Sequence, residues 1–237
     1  MYTVLACDDD LAILNSIEIY LRMEGYETLK AQNGREALDI LDRQQVHCAI
    51  LDIMMPGLDG LAVTRKLREQ GDRGSPGNVP VILLSAKSED TDKIAGLGFG
   101  ADDYVTKPFN PLELLARVKS QIRRFTQLGA SQAKEGLLRT GGLCLDPAAK
   151  EVTLDGDSVK LTATEYGIVL HLMENLGRTL SAEQIYQAVW NEPAYVSEKT
   201  VTVHIRRIRE KIEINPKEPK YIKVVWGIGY KMERIPV

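Results

Sequence analysis

Residues 47–70 read HCAILDIMMPGLDGLAVTRKLREQ, and the order of events within them decides the fold. The run His47–Leu51 is short and largely apolar, and an acid, Asp52, follows it directly. Pro56 and Gly57 mark a turn, and from about 59 to 70 apolar and charged residues recur at helical spacing. The same unit repeats along the first half of the chain. Its other β-rich runs are Tyr2–Cys7, Tyr26–Ala31, Val81–Leu84 and Asp103–Thr106, with helical patterns at about 11–24, 35–44, 89–98 and 110–124. Mostly apolar runs alternating with helices indicate a parallel sheet covered on both faces. Five such units make a small doubly wound α/β domain.

Ligands of such sheets bind where strands end and helices begin. The first strand runs into Asp8, Asp9 and Asp10, the third into Asp52, the fourth into Ser85 and the fifth into Lys107 and Pro108. Clustered carboxylates repel one another unless a cation neutralises them. Oxygen ligands without imidazole or thiolate select Mg²⁺, which keeps waters and leaves positions for phosphate oxygens. A carboxylate can attack phosphorus to form an acyl phosphate, and a lysine and a hydroxyl then stabilise the equatorial oxygens. Asp52 is the nucleophile candidate because it is the lone acid at the end of the central strand. Asp8–Asp10 also read as a helix N-cap run, which suits Asp10 especially.

Five separated motifs carry a resemblance over residues 1–124: CDDD, LDIMMPGLDG, LLSAK, GADDYVTKPF and PLELLARV. They resemble the receiver domains of bacterial response regulators. The resemblance implies a flavodoxin-like five-stranded parallel sheet of order 2-1-3-4-5 and a sensor histidine kinase as phosphodonor. It implies Asp52 as the phosphorylated residue and Mg²⁺ held by Asp8, Asp9, Asp52 and the backbone carbonyl of Met54. It further implies Ser85 as the switch hydroxyl, Lys107 as the phosphate partner, a cis Lys107–Pro108 bond, and Tyr104 as the switch aromatic. Without that resemblance Tyr104 reads as a half-buried strand tyrosine. The charges Lys93, Asp102, Asp103, Glu113, Arg117 and Lys119 read either as a solvated face or, by the resemblance, as a symmetric dimer interface. In that interface Lys93 meets Glu113, and Asp103 meets Arg117 across the twofold. Ser85 stands where threonine is common, and the loop 71–78 is longer than usual.

The stretch from Gln127 to Gly136 is poor in large apolar residues and reads as an interdomain linker. The expected layout is a receiver over 1–124, a linker over 125–137 and a second domain over 138–237. There the rhythm changes. Short runs at Leu143–Leu145, Glu151–Leu154 and Val159–Leu161 suggest an antiparallel sheet. Thr162 and Glu165 form a capping-box pattern that opens a helix. Further helices are expected at about 181–190 and 197–213, and Tyr221–Val225 with Tyr230–Glu233 form a hairpin around Gly227 and Gly229. Helices followed by a hairpin make an α+β winged helix-turn-helix.

The charge is distributed unevenly. The chain totals −3, but residues 197–237 carry 10 Lys and Arg against 5 Asp and Glu. Such a basic segment is an electrostatic footprint for polyanions or a solvated basic face. Within 199–212, KTVTVHIRRIREKI, helical spacing places Val201, Ile205, Ile208 and Ile212 on one stripe. Lys199, Thr202, His204, Arg206, Arg207 and Arg209 are then expected on the other faces, with Ser197 as N-cap and Glu198 in the first turn. A greasy back and a basic front suit the major groove of double-stranded DNA. The segments LTATEYGIVLHLMENLGRTLS, VWN, KTVTVHIRRIREKI and GIGYKME resemble the winged-helix effector domain of the OmpR/PhoB class, and within it the VanR-like regulators of Gram-positive bacteria. The resemblance implies a transcription regulator that dimerises on phosphorylation and works with RNA polymerase. Many members have Asp at the position of Thr202 and an Arg at that of Trp226. That arginine often reaches into a minor groove, a contact the resemblance does not carry over to this chain, and Trp226 is expected instead either to pack under the hairpin or to lie on sugar-phosphate.

Two other function classes compete with this reading. A Mg²⁺ phosphatase using an aspartyl phosphate usually has a second acid two residues after the nucleophile, where this chain has Met54. Slow self-hydrolysis is expected, and a dedicated enzyme is not. A protein-binding role for the basic helix is separable from DNA binding by salt dependence and sequence preference. Three cysteines, Cys7, Cys48 and Cys144, lie far apart among apolar neighbours and read as reduced core residues. No basic-then-apolar leader opens the chain, and no apolar run approaches the roughly 20 residues of a membrane span. A cytoplasmic protein without membrane contact is expected.

Overall fold

The computed structural model describes residues 1–69, 78–86, 100–127, 136–190 and 197–236. The chain divides into two compact units, Met1–Phe125 and Thr126–Val237. The expected helix at 89–98, with Lys93, and residues 71–77 of the long loop lie outside the described residues. So do the side chains of Ser197 and Glu198, and with them the expected cap.

In the first unit the elements follow as β1 (Thr3–Cys7), α1 (Leu11–Met23), β2 (Glu27–Ala31), α2 (Gly34–Arg43), β3 (Cys48–Asp52), α3 (Gly60–Glu69), β4 (Val81–Ala86), β5 (Asp103–Lys107) and α4 (Pro111–Gln127). The five strands are parallel in the order β2-β1-β3-β4-β5. Every residue of β1 and β3 is buried, as their unbroken apolar runs require. Leu14, Ile17 and Leu21 of α1 and Leu114, Val118 and Ile122 of α4 pack with Val4, Ile50, Ile82 and Leu84 of the sheet. Burial of a side chain of this kind contributes about 1.5–3 kcal/mol.

Polar residues set the helix starts. Asp10 caps α1 by accepting from the Ala12 N–H at 2.8 Å. Asn33 caps α2 by accepting from the Glu36 N–H at 3.0 Å. At the start of α3, a Cβ on Gly60 would lie 2.2 Å from the Asp52 carbonyl oxygen. Only glycine lets that helix begin so close behind the end of β3. Helix α4 continues past the expected end at 124, because the first helix-breaking residue after it is Gly129.

The second unit contains an antiparallel sheet of β6 (Leu138–Thr140), β7 (Leu143–Asp146), β8 (Glu151–Leu154) and β9 (Asp157–Ser158). Then come, among the described residues, α5 (Ala163–Glu174), β10 (Thr179–Leu180), α6 (Ala182–Trp190), α7 (Ser197–Ile212), β11 (Ile222–Val225) and β12 (Gly229–Met232), with a second sheet ordered β10-β12-β11. The last hairpin strand of the first sheet lies at 157–158 rather than at 159–161. Asp155 and Gly156 both have positive φ, 51° and 94°, so a two-residue turn pairs Leu154 with Asp157 at once. β6 and β10 are too short to show an alternating pattern. Thr162 and Glu165 form a full capping box, each side chain accepting from the other's backbone N–H, at 3.3 and 2.9 Å. Tyr166, Ile168, Val169, Leu172, Trp190, Ile205 and Ile208 join in one core with Ile222, Tyr230 and Met232 of the hairpin.

Candidate functional site

Parallel register brings the carboxyl ends of the first unit's strands to one edge. Cys7 pairs with Leu51, Asp52 with Leu84, and Ser85 with Thr106. Asp8 and Asp52 are buried there and Asp9 is exposed, with one carboxylate oxygen from each within 4.8 Å of the others. Lys107, from the end of β5, places Nζ 2.6 Å from Asp8 Oδ2 and 2.9 Å from Asp52 Oδ1. Asp8 also accepts from the Asp10 N–H at 3.0 Å, so Asp10 supports the cluster from its capping position. The Lys107–Pro108 bond is cis.

The electrostatics follow from crowding. Burial pushes the Asp52 carboxyl above its ordinary value. Lys107 opposes that, Asp8 adds to it, and the Met54 N–H opposes it again. Burial alone would lower the Lys107 ammonium, but its hydrogen bonds to Asp8 and Asp52 outweigh this and hold it raised. Lys107 is therefore a fixed cation between two acids. Ser85 Oγ is buried on β4 and has no hydrogen-bond partner among the described residues. A buried hydroxyl left so costs about 1–3 kcal/mol, and it can donate to a group that arrives. Tyr104 is buried on β5, and Met54 is exposed at the mouth of the site. Hard oxygen donors without sulfur or imidazole suit Mg²⁺. Cys7 Sγ lies 3.3 Å from Met55 Sδ nearby, but burial and the neighbouring acids push its thiol up to about 12. Cys7 and Cys48 are buried, Cys144 only partly so, and all three are unbridged.

Three of the charges assigned to a dimer face, Asp102, Asp103 and Arg117, are engaged within the chain. Asp102 points inward, where it accepts from Arg68 Nη2 at 2.7 Å and the Val81 N–H at 3.0 Å. Asp103 is buried and takes Arg117 Nη1 on both oxygens, at 2.9 and 2.8 Å, within one chain. Val105 of β5 shares a core cluster with Leu114 and Val118 of α4, so Asp103 and Arg117 meet within one chain. Arg117 also holds Glu113 at 2.9 Å. Glu113 and Lys119 are exposed.

Helix α7 corrects two residues of the expected basic front. His204 is fully buried, its ring 5.5 Å from that of Trp190. Arg207 is buried beside Glu165, with Nη2 3.2 Å from Oε1. At 3.6 residues per turn His204 lies three positions from Val201 and four from Ile208 and turns inward with the stripe, while Arg207, three positions beyond His204, is drawn in by Glu165. Arg209 donates to the Ile222 carbonyl from Nε and Nη2, at 3.1 and 2.7 Å, fastening the helix to β11. Thr202 Oγ1 is 2.9 Å from the Tyr230 hydroxyl. Lys199, Thr202 and Arg206 are exposed along one face, with Arg209 partly exposed beside them. Trp226 is 90% exposed at the hairpin tip and does not pack under it.

Two acids escaped the sequence reading. Glu165, read only as a cap, also binds Lys211 Nζ at 2.6 Å. Glu213 accepts from the N–H groups of Lys220, Tyr221 and Ile222 at 2.6, 2.9 and 3.0 Å, and so fixes the approach to the hairpin. An acid in an otherwise apolar stretch was the available signal for Glu165.

Residues 4–119 match the family model of the response regulator receiver domain, and residues 156–232 match that of the C-terminal domain of transcriptional regulatory proteins. The regulatory protein VanR of Enterococcus faecium is 41% identical over 233 residues, 98% of each chain. VanRc of Enterococcus gallinarum is 39% identical over 233 residues, again 98% of each. A solved structure of a RitR mutant aligns with a TM-score of 0.77 at 22% identity, covering 98% of this chain and 99% of that one, which speaks for the fold. No helix among the described residues is long and apolar enough to cross a membrane. The chain belongs to the two-component response regulators of the OmpR/PhoB class, transcription regulators that join a receiver domain to a winged-helix DNA-binding domain.

Proposed function

We propose that Asp52 is the phosphoacceptor and that its acyl phosphate drives dimerisation and DNA binding. One observation carries this reading. Lys107 bridges Asp8 and Asp52, while the buried Ser85 hydroxyl lies on the neighbouring strand without a partner among the described residues. A carboxylate oxygen of Asp52 attacks the phosphorus of a phosphohistidine on the sensor kinase. The phosphorus–nitrogen bond breaks, the imidazole leaves, and an aspartyl phosphate remains. Lys107 then pairs with the phosphoryl oxygens and the Ser85 hydroxyl donates a hydrogen bond to one of them. Tyr104, on the adjacent strand, is the aromatic that follows Ser85. The population shifts toward the arrangement in which these contacts are made.

Asp8, Asp9, Asp52 and the backbone carbonyl of Met54 would hold Mg²⁺, which neutralises the crowded oxygens and orients the incoming phosphoryl group. No second acid stands at Met54 to speed hydrolysis, so the phosphoryl group turns over slowly and the chain acts as a switch rather than an enzyme. The layout is a receiver over 1–124, a linker over 125–137 and an effector domain over 138–237. Glu113 and Lys119, both exposed on α4, are the described side chains through which two receivers meet, with Arg117 held in place by Asp103. Lys199, Thr202 and Arg206 face the major groove of double-stranded DNA. The protein works in the cytoplasm, with RNA polymerase as its downstream partner.

Incubation with a small phosphodonor and Mg²⁺ tests the assignment. Intact-mass analysis should find one phosphoryl group on the parent and none on Asp52→Asn. Labelling of Asp52→Asn to the parent's extent would overturn it. Glu113→Ala should keep the phosphoryl group and weaken the dimer.

A further inference from the structure

Helix α7 shows little of itself to solvent. From Lys199 to Ile208 only Lys199, Thr202 and Arg206 are exposed, and the other seven residues are buried. Spacings of three and four put the exposed three on one stripe. The helix is held on its other sides. Val201, Ile205 and Ile208 lie in the domain core, His204 lies against Trp190, and Arg207 lies beside Glu165. Arg209 fastens the next turn to the Ile222 carbonyl. A stripe this narrow meets its target through few side chains, and they stand on a rigid element.

The three side chains differ. Lys199 and Arg206 are long and charged, and Arg206 meets Glu210 at 3.2 Å. Thr202, at the centre of the stripe, is short and neutral. Its Oγ1 lies 2.9 Å from the hydroxyl of Tyr230 on β12. Tyr230 is buried on the middle strand of its sheet, paired with Leu180 on one side and Val224 on the other, so its hydroxyl is fixed in place. A threonine in a helix divides between two χ1 positions, because its hydroxyl can turn back to the preceding carbonyls. The Tyr230 hydroxyl favours one of them. With Oγ1 committed to that contact, what Thr202 offers outward is its γ-methyl.

Base edges in the major groove differ in what they present to a methyl group. Guanine, adenine and cytosine present acceptors and donors there, whereas thymine adds a 5-methyl group beside its O4 acceptor. A free threonine hydroxyl can donate to or accept from any base and so discriminates weakly. A methyl group set between two cations that hold phosphates or guanines behaves differently. Opposite thymine it buries apolar area on both partners. Opposite the other bases it covers a donor or an acceptor without satisfying it.

Resting on the DNA-binding reading above, we propose that Thr202 is a specificity-determining residue that selects thymine through contact between the two methyl groups. Tyr230 is the positioning residue that turns the Thr202 methyl to the groove. This selectivity is apolar and insensitive to salt, whereas the hold of Lys199 and Arg206 on phosphates follows counterion release.

The test uses the full chain and a duplex it selects from a randomised pool, with each thymine replaced in turn by deoxyuridine. That exchange removes the 5-methyl group and keeps every hydrogen-bonding group of the base. For the parent, one replacement in each half-site should weaken binding about fourfold, the effect of one buried methyl group. Thr202→Ser keeps the hydroxyl and loses the methyl, so it should be indifferent to deoxyuridine at that position. Thr202→Val keeps a methyl without the hydroxyl and should keep the penalty. Tyr230→Phe leaves the ring in the core and frees Oγ1, so the side chain divides between two rotamers and the penalty should fall to about twofold. The salt slope should be the parent's in all three variants. A parent with no deoxyuridine-sensitive position, or a Thr202→Ser variant that keeps the parent's penalty, overturns thymine selection and leaves DNA binding intact. The full penalty in Tyr230→Phe overturns the positioning role. A parent that selects no duplex overturns the DNA-binding reading as well.

Discussion

Replacing Glu165 should loosen the whole effector domain, because three neighbours depend on one buried carboxylate. Oε2 accepts from the Thr162 N–H at 2.9 Å and from Lys211 Nζ at 2.6 Å. Oε1 lies 3.2 Å from Arg207 Nη2 but without hydrogen-bond alignment. Loss of the cap costs about 1 kcal/mol. Lys211 is one-third exposed and regains water, so its share is held to about 1 kcal/mol. Arg207 is only 10% exposed, and breaking a well-made buried pair costs about 3–5 kcal/mol. Its poor alignment reduces that to about 1–2 kcal/mol. Glu165→Ala should therefore destabilise the domain by about 3–4 kcal/mol, a fall in Tm of about 10–20 °C for a domain of this size. Glu165→Gln, which keeps the acceptor for Thr162, should cost about 1 kcal/mol less. Calorimetry of the full chain reads both, with the receiver transition unmoved as the control. The pH dependence has a definite sign. Burial raises the Glu165 carboxyl, but Arg207, Lys211 and the Thr162 N–H outweigh it and hold it below its ordinary value. Its contribution is thus complete above an unfolded value of about 4.3 and lost as pH falls through the lower folded value. The gap between parent and Glu165→Gln should be flat near neutrality and close below about pH 4. A Glu165→Gln variant within about 0.5 kcal/mol of the parent at neutral pH would show that desolvation cancels the attraction, and would refute the reasoning.

Other outcomes follow from single contacts. Gly60→Ala puts a Cβ 2.2 Å from the Asp52 carbonyl oxygen, where backbone must move. It should lower the denaturant midpoint by about 1–3 kcal/mol equivalent and slow phosphorylation; a stable, fully active variant would contradict the close approach. Arg206, exposed and paired only weakly with Glu210 at 3.2 Å, should lose about one unit of salt slope in DNA binding when changed to Ala. His204→Ala should instead lower thermal stability and leave that slope alone; the reverse pattern would place the imidazole on the DNA face.

The receiver fold was legible because its strands are continuous apolar runs and its acids fall directly at their ends. Asp8, Asp9, Asp52, Ser85 and Lys107 could be placed on one edge by counting units, since a parallel sheet admits few alternatives. The second domain was less so. β10 owes its existence to a partner far along the chain, Tyr230, which no local pattern announces, and β6, joined to β7 through Gly141 and Gly142, is too short to show an alternation. On α7 the buried stripe was read too narrowly. His204 lies beside it in angle and Arg207 beyond His204, and what decides their direction is a neighbour, Trp190 for one and Glu165 for the other. The inward turn of Asp102 is likewise decided by Arg68, a residue 34 positions away. Side-chain polarity alone places such groups on the surface, and tertiary pairing brings them inside.

The most direct test of phosphorylation control compares dimerisation and DNA affinity with and without beryllofluoride and Mg²⁺, for the parent and Asp52→Asn. Beryllofluoride on Asp52 stands in for the phosphoryl group. Formation of a dimer with tighter DNA binding by the parent alone is the expected result. Identical association and affinity in the presence and absence of beryllofluoride would contradict control of DNA binding through Asp52.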